Sequence, residues 1–405
     1  VDNKSGKIID VGNFSDLRSS WDISNNLIHF RNRLIMPGFI DTHVHYPQYK
    51  VIASYGTSLL EWLNKYTFVE EQRFSDEAYA DQIANLFLDE LIKNGTTSVM
   101  TFCTSFKQSV EAFFNAAENR NLRMAAGKVM MDRHAPDELC DNPDNSYSDS
   151  KELIEKWHNK GRLRYAVTPR FAPTSSSSQL NQAARLLNEY PSDDQTKGVL
   201  LQTHLNENDE EIAWVNDLFP DSNSYFGVYE DHGITGNRSV FGHCIHNTEE
   251  EYQRMAKTGS KVSLCPTSNL FLGSGLFELE KLESYGIDVS LASDVGGGDS
   301  FSMFKVMNEA YKICRLNDFN LDPIKAFYLT TLGAAKVLDM NDSIGNFEVN
   351  KEADFIVIDL NATEIISQKN KIAMGVNDIL FNLMTLGDDR LIDEVFILGQ
   401  RAYKK

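Results

Sequence analysis

The chain has 405 residues, 42% of them hydrophobic, and carries 39 Lys+Arg against 58 Asp+Glu for a formal net charge of −19 at pH 7. That balance describes a globular chain with a large core, long enough for two or three domains or for one α/β barrel with an addition. The acidity disfavours nucleic acid and anionic membranes as partners, since both require a basic footprint, and no apolar run approaches the ~18 residues of a spanning helix.

The first residues, Val1-Asp2-Asn3-Lys4, lack the apolar stretch of a secretory signal. Five scattered cysteines (Cys103, Cys140, Cys244, Cys265, Cys314) form no CxxC pair and read as reduced thiols of a cytoplasmic protein. Residues 1–36 hold two short β-like pieces, 5–10 and 25–30, among turn residues. Strand-like runs follow at 39–44, 97–102, 123–130, 163–167, 199–204, 239–243, 261–264 and 288–291. Among them lie amphipathic stretches at 78–93, 108–119, 151–159, 179–189, 249–257 and 303–315. Strands alternating with helices call for parallel neighbours joined by crossovers. Eight such strands close into a barrel filled by its own side chains; a doubly wound open sheet is the alternative. From about Gly345 strand signals return, at 353–359 and 394–400. The expected fold is α/β: a (β/α)8 TIM barrel over 37–344, beside a small β-sandwich domain built from both chain ends, 1–36 and 345–405.

His43 and His45 stand two apart on the first barrel strand, so their side chains share a face. They lie at its C-terminal end, the catalytic rim of such a barrel. Alone, the pair reads equally well as a hydrogen-bonded couple. His204 closes the fifth strand, His243 the sixth and Asp294 the eighth, each where an apolar strand meets a polar loop. Five such residues on one rim read as a metal centre rather than as unrelated caps. Glu207 has two readings: an acid in the first turn of a helix over 207–218, favoured by the helix dipole, or a proton carrier beside the metal. Gly296-Gly297-Gly298 has neither GxGxxG nor P-loop spacing and reads as a tight turn. Cys265-Pro266 lacks the H-x-E and P-C-x-x-C of the cytidine-deaminase zinc site.

With HxH on strand one, His on strands five and six and Asp on strand eight, the sequence resembles the amidohydrolase superfamily over essentially its whole length, the Gly345-Asn346-Phe347-Glu348 return included. The resemblance implies a mononuclear site with ligands His43, His45, His204 and Asp294, and with His243 against the water that the metal binds. Binuclear relatives add a carboxylated Lys at the fourth strand. Here that strand ends Thr168-Pro169-Arg170, although Lys128 ends the third. Deaminating members carry HxxE, matched by His204-Leu205-Asn206-Glu207, which implies that Glu207 shuttles protons.

Longer segments resemble the guanine deaminase family: His45-Tyr46-Pro47-Gln48, Ser58-Leu59-Leu60-Glu61-Trp62 through Phe68, Gly127-Lys128-Val129-Met130, Thr168-Pro169-Arg170-Phe171-Ala172-Pro173, Ser263-Leu264-Cys265-Pro266 and Thr385-Leu386-Gly387-Asp388. Val69 departs from it, standing where the family usually has Pro. This resemblance implies hydrolysis of guanine to xanthine and ammonia, in purine catabolism or salvage, by a zinc-dependent homodimer; iron accepts a similar ligand set. It also implies substrate contacts by Gln48, Arg170 and Phe171, with His204 and Asp294 beside them. Taken singly, the first three read as a solvated loop amide, a surface cation and a packing aromatic. A guanidinium fork matches the O6/N7 acceptors of guanine, whereas adenine carries a donor at position 6. Phe171 can stack on a flat base. Trp62 reads either as a pocket cover or as core packing. Rival readings are an aminohydrolase of triazines, pterins or another nucleobase, and a non-catalytic barrel scaffold.

Overall fold

The computed structural model describes residues 1–21, 27–56, 59–193 and 196–405. Its strands along the chain are β1 (Arg33–Pro37), β2 (Phe39–His45), β3 (Thr96–Phe102), β4 (Arg123–Gly127), β5 (Val129–Met130), β6 (Arg164–Pro169) and β7 (Leu200–Leu205). They continue as β8 (Ser239–His243), β9 (Lys261–Leu264), β10 (Val289–Leu291), β11 (Phe355–Asp359), β12 (Ile392–Ile397) and β13 (Gln400–Lys404).

Eight of these, β2-β3-β4-β6-β7-β8-β9-β10, pair in parallel in that order. Just past β10, the Asp294 N–H donates to the His43 carbonyl (2.9 Å) and the His45 N–H to the Val295 carbonyl (2.7 Å), bridging β10 to β2 and closing the barrel. The expected strand over 123–130 is broken at Lys128, whose N–H turns to the Tyr165 hydroxyl (3.2 Å). A Cβ on the preceding Gly127 would collide with the Ala166 carbonyl, so the chain turns here at a residue without a side chain. Inside the barrel, Ile40, Met100, Ala125, Ala166, Leu200 and Val240 meet Ala334, Ala335 and Leu338, which form an apolar plug at the bottom. Two residues further along the strands the lining turns polar and is hydrogen-bonded. Thr42 Oγ1 lies 2.7 Å from both Ser263 Oγ and Ser290 Oγ, and Gln202 Nε2 donates to the Thr101 carbonyl (2.8 Å).

The helices follow from apolar spacing and caps. In Glu77–Lys93, Ala80, Ile83, Ala84, Phe87, Leu88 and Leu91 recur every three or four residues and are buried, and the Asp76 carboxylate accepts the first N–H groups. The helix expected over 151–159 begins earlier, at Pro143, because Asn142 caps it through the Asn145 N–H (2.9 Å) and proline fits the first turn.

His158, just after that helix, accepts the Tyr165 N–H at Nδ1 (3.0 Å) and donates from Nε2 to the Lys197 carbonyl (2.8 Å), an arrangement open only to a neutral ring. Burial, opposed by the Lys197 bond, lowers its pKa from 6.5 to about 4. A group depressed in the folded state contributes stability above its unfolded pKa and loses it as pH falls through the window from 6.5 to about 4, here roughly 3 kcal/mol. Urea unfolding at pH 7.5, 5.5 and 4.5 should show a stability loss on acidification that His158→Gln reduces by about that amount. Identical pH dependence in the two proteins would remove His158 from this role.

The chain ends make the second sheet, β1-β11-β12-β13, antiparallel throughout. Where a β-sandwich was expected, the described residues form a single four-stranded sheet. Its face bearing Ile356, Ile358, Ile392 and Val395 packs into the same core as Leu91 and Ile92, so the barrel supplies the second layer. Gly95, at φ +82°, permits that approach, since a Cβ there would come within 2.8 Å of Ile392. Arg123 and Arg162 both donate to Glu352 (2.7 and 3.0 Å) and tie the returning tail to the barrel. The β-like piece at 5–10 yields only an isolated pairing of Lys7 with Glu352. Residues 27–30 are not strand, and 25–26 lie outside the described residues. A helix, Phe14–Ser20, stands between them. The helices Glu364–Lys371 and Val376–Leu386 separate β11 from β12.

Candidate active site

The rim side chains owe their positions to irregular backbone. Between the pairs Asp41–Val99 and Val44–Thr101, β2 places two residues opposite one on β3. This bulge re-aims the strand, so that His43 and His45 turn inward at its end. His243 (φ 70°), Asp294 (φ 48°) and Asn206 (φ 50°) adopt the left-handed region, which costs roughly 1–3 kcal/mol each and is concentrated at functional sites. Gly242 lies against His43, with no room for a Cβ beside the imidazole. Asp41, buried and pushed up to about 6 by its desolvation, grips the Ser293 hydroxyl and N–H directly before Asp294.

One potential ligand atom each from His43, His204, His243 and Asp294 lies within 4.8 Å of all the others. His45 adjoins this group, its Nε2 3.3 Å from Asp294 Oδ1. His243, expected against the water, thus lies within reach of the proposed ligands, with His45 at its side. The far ring nitrogens set the tautomers. His204 Nδ1 lies 2.7 Å from the Arg170 carbonyl, and His243 Nδ1 lies 3.0 Å from Asn269 Oδ1, which leaves both Nε2 atoms to the cluster. His43 Nε2, His45 Nδ1 and His243 Nε2 are buried without hydrogen-bond partners, a costly condition that a bound cation or water relieves. Burial lowers His43, brings His45 down to about 3, and with neighbouring imidazoles holds His204 well below 6.5, so all three are neutral donors. Burial opposes ionisation of Asp294, but the His43 and His45 rings beside it keep its carboxyl well below the usual range. Lys128 is engaged elsewhere, in a buried ion pair with Asp141, and takes no part in the cluster.

Glu207 is not a first-turn acid. The helix is Asp209–Leu218, capped by Asn208, and Glu207 precedes the cap with its side chain buried. Its Oε1 accepts the Ser274 hydroxyl (3.0 Å) and its Oε2 lies 3.5 Å from His243 Nε2. The Glu207 N–H donates to Glu211 (3.0 Å), itself held by the Tyr225 hydroxyl (2.7 Å). Burial, then the charge of Asp294, push Glu207 up to about 8, so it carries a proton at neutral pH.

Beside the cluster lies a cavity whose lining includes Gln48, Trp62, Arg170, Phe171 and Glu207. Gln48 and Arg170 are buried, which removes the readings as a solvated amide and a surface cation. Phe171, directly after Arg170, meets His204 edge-on with ring centroids 6.3 Å apart. Trp62 is both core and cavity wall; Ser58 lies outside the described residues. Val69 is exposed in Phe68–Glu71, a short helical stretch continuous with the turns before it. Sequence reasoning missed Glu71, wholly buried against Arg170 and Gln48, and also Asp41, Asn269, Ser274 and Glu211. The one available signal for Glu71 was its place three residues beyond the family-like run that ends at Phe68.

The profile of the amidohydrolase family matches residues 34–402. A guanine deaminase of Escherichia coli is 46% identical over 99% of this chain and 90% of its own length, and a solved structure of the E. coli enzyme superposes with a TM-score of 0.96 over 100% of this chain and 92% of that one. A guanine deaminase from C. acetobutylicum, solved with guanine bound in its active site, is 33% identical with a TM-score of 0.89 over 98% of this chain and 93% of that one. The chain belongs to the amidohydrolase family, in its guanine deaminase branch.

Proposed function

We propose that this protein hydrolyses guanine to xanthine and ammonia, with a zinc ion at the rim cluster. The observation that carries the reading is one cavity in which a His/Asp cluster and a protonated Glu207 face the donors of Arg170 and Gln48. The whole-length likeness to guanine deaminases supports it.

The residues present fit a divalent cation: neutral imidazoles with unpartnered nitrogens surround an ionised carboxylate. His43, His45, His204 and Asp294 would hold it, and this imidazole–carboxylate set suits zinc. When bound, the ion supplies Lewis acidity, lowering the pKa of a coordinated water from 15.7 to about 7. Asp294 accepts a proton from the attacking water. His243, fixed through Asn269, orients that water and stabilises the oxygen as charge develops in the attack. Glu207 protonates a ring nitrogen, then takes the proton of the hydroxyl added at the carbon and passes it to the departing amine, and the proton held by Asp294 restores Glu207. Arg170 reads the O6/N7 edge, Gln48 adds a donor, and Phe171 bounds the base plane.

The same reading divides the chain into a β domain from 1–36 and 345–405 and a catalytic barrel over 37–344, supported by β1 pairing with β11 while β2 pairs with β3. It also takes the protein as a cytoplasmic homodimer: all five cysteines are free, as a reducing compartment favours, and the dimer rests on the family likeness. Among the described residues no helix is long and apolar enough to cross a membrane.

Ammonia release from guanine, adenine, cytosine and aminated triazines tests the substrate. Guanine should exceed adenine by about 10⁴ or more in kcat/KM, because adenine's 6-amino group would leave buried donors unpaired. Preference for a triazine or cytosine would refute the guanine reading while leaving the amidohydrolase assignment intact.

A further inference from the structure

Arg170 and Gln48 share one anchor. Glu71, wholly buried, accepts two hydrogen bonds from Arg170 Nη1 (2.9 and 2.8 Å) and one from Gln48 Nε2 (3.3 Å). At its other end the Gln48 amide is equally constrained, since its Oε1 accepts the Gly296 N–H (3.2 Å). Flipping that amide would set an oxygen against the Glu71 carboxylate and an NH2 against the Gly296 N–H, two repulsive contacts for two lost hydrogen bonds. Arg170 is pinned as well: Nη1 is taken up by Glu71, its guanidinium stands 5.4 Å from the Phe68 ring centre, and Nη2 and Nε are its remaining donors. Both side chains line the cavity. The hydrogen-bonding capacity left to Arg170 is N–H only, and Gln48, its Oε1 engaged by the Gly296 N–H, offers its second N–H.

We infer that Glu71 is a positioning residue that fixes the donor polarity of the substrate-reading wall. By taking Nη1 of Arg170 and one N–H of Gln48, it makes the wall accept a ring edge of carbonyl and unprotonated nitrogen and reject one bearing an amino group. Glu71 touches no reacting atom; its effect passes through Arg170 and Gln48. This rests on the guanine reading above and goes beyond it by naming the residue from which the discrimination originates.

The test uses the metal-loaded full chain. Glu71→Gln, Arg170→Met and the double variant are compared with wild type for guanine kcat and KM, for adenine Ki as a competitive inhibitor, and for metal content. Glu71→Gln keeps the shape but offers an NH2 to donors, so it should raise guanine KM about tenfold or more. Its kcat should change much less, with metal retained, and the ratio of adenine Ki to guanine KM should fall about tenfold or more. On the Arg170→Met background the same substitution should add less than about threefold, because coupled residues are non-additive. A change in kcat alone, an unchanged ratio, or effects that multiply would overturn the inference. If Glu71→Gln does not fold, Glu71→Asp retains the charge one methylene short and is read by the same ratio, with the same two outcomes. Wild-type protein that does not deaminate guanine defeats the functional reading instead, a result distinct from any behaviour of the Glu71 variants.

Discussion

Glu207→Gln is expected to keep its metal and lose roughly 10²–10⁴-fold in kcat, the usual size of a general acid–base contribution. The substitution is nearly isosteric: the amide oxygen can still accept the Ser274 hydroxyl, and the backbone tie to Glu211 is untouched. What disappears is the exchangeable proton at the atom 3.5 Å from His243 Nε2. In the wild type that proton is present at neutral pH because burial and the Asp294 charge push the carboxyl up to about 8. Ammonia release from guanine, alongside elemental analysis of the same preparation, checks both halves. Near-normal turnover with metal bound would leave Glu207 a structural acid below Ser274.

His204→Ala should act differently, removing metal and activity together. The His204 ring is oriented by its contact with the Arg170 carbonyl and surrounded by His43, His45 and His243, with ring centroids 4.7 to 5.4 Å away. Truncation leaves three of the proposed ligands and an open fourth side, an incomplete shell. After dialysis against metal-free buffer, metal content should fall from about one ion per chain to below about 0.1, and kcat by about 10³-fold or more. Full occupancy in this variant would take His204 out of the ligand set. The two variants thus separate proton transfer from metal retention: Glu207→Gln loses only turnover, His204→Ala loses both.

Several elements were legible because their signals are local. The runs at 239–243 and 261–264 became β8 and β9 without change, and the helix at 303–315 extended by one residue. Apolar periodicity and burial are properties of neighbouring residues, so they survive without knowledge of the fold. The rim histidines were legible for a related reason. A polar, metal-capable side chain at the end of an apolar strand is visible in sequence, and parallel strands deliver all such ends to one rim. Glu207 lies beside His243, but outside the helix whose first turn one reading had it occupy. The asparagine at 208 competes as a cap, and the helix start followed the cap rather than the acid.

By itself, then, the sequence determined the barrel, the rim carrying His43, His45, His204, His243 and Asp294, and the split of the second sheet between the chain ends, because each is written in periodicity or in position along a strand. Tertiary structure alone decided how those ends pack and which polar residues act from behind. The expected sandwich became one sheet on a barrel helix because the apolar face of β11 and β12 found Leu91 and Ile92 as its second layer. Glu71 meets Arg170 across 99 positions and Ser274 meets Glu207 across 67. Nothing in a short helix end reading Glu70-Glu71 says that both acids are buried or that Glu71 is the one to meet Arg170, since an exposed acid is the ordinary outcome and a buried one is tolerated only with partners. Those partners come from other strands, and only the closed barrel brings them within hydrogen-bond distance.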